Sequence, residues 1–180
     1  MELKQNHFEL FGLPVAFEVD TQQLAERYRE LQRILHPDRY ANASDRERRL
    51  SIQHAAQVNE AFQTLKSSLP RARYLLQLKG IAFDDEKETH LDPEFLMEQM
   101  ELREALADVR TKSDPLAGLN RIMADIKSKQ TIMQDQLREL FAEDSEAKRL
   151  AAKQLVQKMQ FLVRLQEEAE ELEEELLTDL

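Results

Sequence analysis

Apolar residues recur three and four positions apart along most of this chain, with polar residues filling the intervals. Leu24, Tyr28, Leu31 and Leu35 form one such series, and Ala55, Val58, Phe62 and Leu65 form another. That spacing places each series on a single face of a helix. Start and stop residues punctuate the pattern. Asn6 is placed to cap a short helix over residues 7 to 11, ended by Gly12 and Pro14. Asp20 with Gln23, and Ser44 with Glu47, have the capping-box spacing, in which side chains and free amides satisfy one another reciprocally. Pro37 ends the helix that begins after Asp20, and the helix opened by Ser44 runs on to about residue 68. Two amphipathic helices joined by a short loop predict an antiparallel hairpin. After Pro70, a short helix carrying Tyr74, Leu75 and Leu78 runs to Gly80, a natural C′ residue.

Residues 80 to 91 are polar and aperiodic, which predicts a linker. Beyond it, Asp92-Pro93 and Asp114-Pro115 each pair an amide-accepting carboxylate with a proline whose φ suits a first helical turn. They open helices over 92 to 111 and 115 to 142, and Asp144 or Ser145 opens a last one that runs almost to the C-terminus. The expected architecture is all-α. It comprises a hairpin with short flanking helices (1 to 79), the linker (80 to 91) and an up-down-up three-helix bundle (92 to 180).

Composition supports helix and narrows the chemistry. Only three glycines and five prolines occur in 180 residues, and the absence of cysteine removes disulfides, thiolate zinc sites and cysteine-ligated clusters from this chain. Charge is divided unevenly: residues 1 to 79 carry 12 Lys/Arg against 10 Asp/Glu, and residues 80 to 180 carry 13 against 25. Nucleic acid is therefore an unsuitable partner for the acidic second body. The opening MELKQNHFEL lacks the apolar core of a signal peptide, and no later run approaches membrane-spanning length. The expectation is a soluble protein of the bacterial cytosol with no membrane partner.

The loop between the hairpin helices reads His36-Pro37-Asp38. Alone, the tripeptide needs no more than a proline that stops a helix and an aspartate that starts a turn. Its surroundings say more. Tyr28-Arg29 precede it, Arg39 follows, and Asn59-Glu60-Ala61-Phe62, Leu65 and Pro70-Arg71-Ala72-Arg73-Tyr74 occupy the next helix and its exit. This ensemble resembles the J domain over about 75 residues. The resemblance implies docking on an ATPase chaperone of the DnaK/HscA type and acceleration of its ATP hydrolysis. Helical geometry adds that Arg29 and Arg33 point away from the Leu24/Leu31/Leu35 stripe, so they face solvent when the stripe is buried. With Arg39 they form a basic patch suited to steering a partner, beside a loop in which His36 and Asp38 present a ring donor and a carboxylate acceptor. No pocket for general acid–base catalysis, no phosphate cradle and no serine nucleophile motif is legible, so no catalytic residue is assigned. His7, His54 and His90 are too scattered for a metal motif.

On the helix that starts at Asp92, Phe95, Leu102, Leu106 and Val109 suffice for a core face. Leu96, Met97 and Met100 project elsewhere, beside Glu101 and Glu104. They form either a partner-binding surface or a second buried face. The segment Phe95 to Glu104, the later Met159-Gln160-Phe161-Leu162 and the Glu-rich end together resemble the HscB family over nearly the whole chain. That resemblance implies a C-terminal bundle that binds the iron–sulfur scaffold IscU through Leu96, Met97, Met100, Glu101, Glu104 and Phe161. It also implies delivery of the scaffold to the chaperone HscA, with His36, Pro37, Asp38, Arg29, Arg33 and Arg39 as the chaperone-binding set and no cofactor or metal of its own. Phe161 lies at the border of its helix's apolar stripe, so burial and exposure are both open. The competing functions are a J-protein for a different client and a helical adaptor outside the chaperone system.

Overall fold

A computed structural model describes residues 5–40, 43–83 and 93–178. Among them every regular element is helical, and the chain divides into two units, Met1–Lys79 and Gly80–Leu180. The first unit contains α1 (His7–Leu10), α2 (Thr21–Leu35), α3 (Asp45–Lys66) and α4 (Ser68–Leu78). The second contains α5 (Pro93–Ala107), α6 (Pro115–Ala142) and α7 (Glu146–Thr178).

The caps read from the sequence explain most of the helix starts. Asn6 and Glu9 satisfy each other's amides, as do Ser44 and Glu47. The short hydrogen bonds from Ser44 hold the Glu47 carboxyl below its usual range. Asp20 differs from expectation. Its Oδ1 accepts from both Gln22 N (3.0 Å) and Gln23 N (2.9 Å), so one carboxylate takes two free amides and Gln23 returns no reciprocal bond. At the other ends, Gly80, with φ of +81°, supplies the left-handed residue that closes α4.

Two boundaries depart from the periodic reading. The helix before Gly80 begins at Ser68, and Pro70 sits in its first turn, where an amide hydrogen would have no helical partner anyway. Leu78 is exposed, and the core residues of α4 are Ala72, Leu75 and Leu76. The helix expected to reach residue 111 is α-helical only to Ala107 and tightens to a 3₁₀ turn over Asp108–Thr111, which carries Val109 into the core at 1 % exposure. The expected caps at Asp92 and most of the predicted linker lie outside the described residues.

In the first unit α2 and α3 form the antiparallel hairpin. Tyr28 stacks on Phe62 with ring centroids 4.0 Å apart, and Leu24, Leu35, Val58, Ala61 and Leu65 are buried. The α1 residue His7 stacks on Tyr74 of α4 at 4.2 Å, and Phe8 beside it is fully buried. Arg71 is buried at the α3–α4 corner, where Nη1 donates to the Leu65 carbonyl at 2.6 Å and the guanidinium lies 5.3 Å from the Phe17 ring. It thereby satisfies an orphan carbonyl at the end of α3.

In the second unit α6 and α7 form a long antiparallel pair, and α5 lies along both. Phe95 meets Phe161 edge to face near the start of α5, and Arg110 pairs with Glu175 beyond its end, so α5 runs parallel to α7. Leu106, Val109, Leu119, Ile126, Leu162, Leu165 and Ala169 make the common core.

Candidate functional site

Two surfaces carry the predicted site residues, one on each unit. On the first, α2 buries Leu24 and Leu35 and leaves Arg29 and Arg33 exposed, as the stripe requires. The helix stops at His36, and Pro37–Tyr40 form a 3₁₀ turn closed by Arg39 N donating to the His36 carbonyl at 3.0 Å. The tripeptide thus lies in a defined turn, although the Pro37 and Asp38 side chains are outside what the structure describes. Arg39 folds back toward α2, with Nη1 3.5 Å from the Arg33 carbonyl, which places a cation at the negative end of the helix. A groove of about 740 Å³ runs between α2 and α3. Leu35, Ala55 and Val58 line it with apolar surface, and Arg29, Arg33 and His36 line it with polar groups. The structure therefore brings Arg29, Arg33 and His36 to one opening and places Arg39 on the turn that follows.

The second surface is the outer face of α5. Phe95 is 4 % exposed and Leu106 7 %, whereas Leu96 is 41 %, Met97 64 % and Met100 71 % exposed. Glu101 and Glu104 are exposed as well. Within the second unit the helix therefore has one packed face and one exposed face. Apolar groups among carboxylates form a patch suited to an apolar partner flanked by basic groups. The patch is also anchored. Lys129 of α6 forms an ion pair with Glu98 of α5, and Asp125 lies 3.9 Å from the same ammonium. The hydrogen bond that Lys129 donates to Glu98 raises the lysine's pKa above its usual value, and the nearby charges of Glu98, Asp125 and Glu101 act in the same direction against partial desolvation.

Comparison with known proteins identifies the lineage. Residues 91–170 match the family described as the HSCB C-terminal oligomerisation domain. A co-chaperone protein HscB homolog of Vibrio cholerae is 46 % identical over 173 residues, covering 96 % of this chain and 99 % of that one. The chain belongs to the HscB co-chaperone family. Among solved structures, chaperone HscB from Vibrio cholerae matches with a TM-score of 0.85 at 43 % identity, covering 96 % of this chain and 99 % of that chain. Human co-chaperone HscB matches with a TM-score of 0.86 at 32 % identity, covering 94 % of this chain and 83 % of that chain.

Within this HscB-family fold, Phe161 differs in setting from the other residues grouped with it. It is half-buried on α7, with its ring 6.0 Å from Phe95 and 5.2 Å from the Arg103 guanidinium. It supports the base of α5 and presents only part of its ring. Sequence reading missed Arg103 in this role because cation–π contacts have no periodic signature. Ile132 of α6 is also exposed, at 56 %, and projects about 120° from the buried Ile126 by helical geometry. Among the described residues no cluster of three or more His, Asp or Glu side chains could hold a metal ion, and no helix is long and apolar enough to cross a membrane.

Proposed function

We propose that this chain is a co-chaperone of iron–sulfur cluster assembly that holds an IscU-type scaffold on its second unit and presents it to an HscA-type chaperone through its first. The observation that carries the reading is the bare face of α5, where Leu96, Met97 and Met100 stand exposed beside Glu101 and Glu104 while the opposite face is packed. Phe161, beneath the same helix, supplies the edge of that surface. In the first unit, the J domain, Arg29, Arg33 and Arg39 steer the chaperone, and the His36-Pro37-Asp38 turn triggers its ATPase. The catalytic step belongs to the chaperone, and this chain contributes neither cofactor nor metal. Nucleic acid and membrane have no part in the mechanism, and its place is the bacterial cytoplasm.

Linking the two units in one polypeptide raises the effective concentration of scaffold at the chaperone, so hydrolysis coincides with client capture. The test is the ATPase rate of HscA with this protein and IscU added separately and together. Stimulation well beyond the sum of the separate effects is expected. Strict additivity would overturn the adaptor mechanism.

A further inference from the structure

We propose that the partner surface crosses from α5 onto α6 at Ile132, which receives an apolar side chain of the same scaffold protein. This inference rests on the scaffold-binding reading of α5 and extends its boundary. Lys129 reaches across to Glu98, so this part of α6 stands beside the first half of α5, and Ile132 lies one turn further along α6. Phe95 and its contact with Phe161 fix the start of α5. Ile132 is therefore an apolar group on a neighbouring ridge beside the helix that bears Leu96, Met97 and Met100.

Exposed apolar residues scattered singly on a surface are ordinary. Ile132 is set apart by the ground between it and α5. Glu98, Lys129 and Asp125 form an ion-paired strip that closes the seam between the helices. The charge of Glu101, which belongs to the α5 patch, also acts on Lys129. The α5 patch and α6 are thus electrostatically in touch, and the seam is spanned by charges already paired within the bundle. The core does not require Ile132, because Leu119, Ile126 and Leu137 are the fully buried residues of α6. Glu101 and Glu104 give the combined surface exposed carboxylates. The matching partner carries apolar side chains for both ridges and basic groups around them.

The test is titration calorimetry of purified IscU with the full-length chain and its Ile132→Ala, Ile132→Lys and Met100→Ala variants, with a thermal melt of each. Ile132→Ala is expected to weaken binding roughly three- to tenfold and Ile132→Lys more, since lysine also opposes a basic rim, with melting temperatures unchanged. Weakening by Met100→Ala with undiminished affinity in both Ile132 variants would overturn the extension and leave the α5 surface standing. Undiminished affinity in Met100→Ala would overturn the α5 surface itself and the extension with it. A lowered melting temperature in Ile132→Ala at unchanged affinity would assign Ile132 to packing, against the proposal.

Discussion

The Tyr28 hydroxyl on α2 donates to Asn59 Oδ1 on α3 at 2.8 Å, while Gln32 Nε2 donates to the same hydroxyl at 2.5 Å. One phenol thus serves as donor and acceptor and ties the hairpin just above the groove. Tyr28→Phe keeps the ring over Phe62 and removes both bonds. A loss of about 0.5 to 1.5 kcal/mol is expected in urea unfolding of the full chain. Asn59→Ala should cost a similar amount. The double variant should cost less than the sum, because the two side chains share one interaction.

The turn after α2 makes a separate prediction. His36→Gln or Asp38→Asn should abolish stimulation of the chaperone ATPase while leaving helix content and scaffold affinity unchanged. Full stimulation by both variants would reduce the tripeptide to an ordinary helix connection.

Truncation on α5 separates recognition from folding. Leu96→Ala or Met100→Ala should weaken scaffold binding by roughly 1 to 2 kcal/mol with little change in melting temperature, since both side chains lie on the exposed side of the helix, Leu96 at 41 % and Met100 at 71 % exposure. Phe161→Ala should lower both quantities, because its ring packs against Phe95 and Arg103. Equal losses of stability in all three variants would place Leu96 and Met100 in the core.

Arg71 should be the most sensitive cation for stability. Burial lowers its pKa, opposed by the charge of Glu18, and the guanidinium keeps its proton at neutral pH. Arg71→Ala removes the charge-assisted bond to Leu65 and the contact with Phe17. A cost of about 2 to 4 kcal/mol is expected, read as a lowered urea midpoint with an unchanged slope.

His7 gives stability a pH dependence with a definite sign. Burial against Tyr74 lowers its pKa from the ordinary 6.5, with Glu60 pulling the other way. The unfolded chain therefore takes up the proton first as pH falls. This contribution is complete above about pH 6.5 and is lost as pH falls through the lower folded-state value. His7→Phe keeps a ring for Tyr74 and removes the titration. The stability difference between wild type and variant should shift toward the variant between pH 8 and pH 5. A difference independent of pH would show that His7 titrates alike in both states.

Local chemistry made much of this fold legible. Asn6, Ser44 and Asp114 act on amides a few residues away, so their caps are visible as spacings. The stripes through Leu24, Leu35, Val58 and Leu65 are likewise set by helical period. Tertiary packing set the remainder. The 3₁₀ turn at Asp108 lets Val109 reach a core formed by two other helices, and neither the need nor the target is written in its neighbours. The burial of Arg71 involves Phe17, far away in sequence, and so leaves no mark on the residues around it. For the candidate site, periodicity showed apolar residues of α5 off the core stripe but left open whether they were exposed or buried, and their exposure is set by which helices pack beside them. The Lys129–Glu98 bridge beside it joins two helices and leaves no mark on either periodicity.

Because α5 packs through Phe95, Leu106 and the residues between them on that side, the residues on its bare side are under little obligation to the fold. On the proposed scaffold-binding reading, substitution at positions 96, 97 and 100 would alter what the helix recognises while the bundle melts at the same temperature. Client preference in such a protein can drift, or be engineered, along a path where every intermediate still folds.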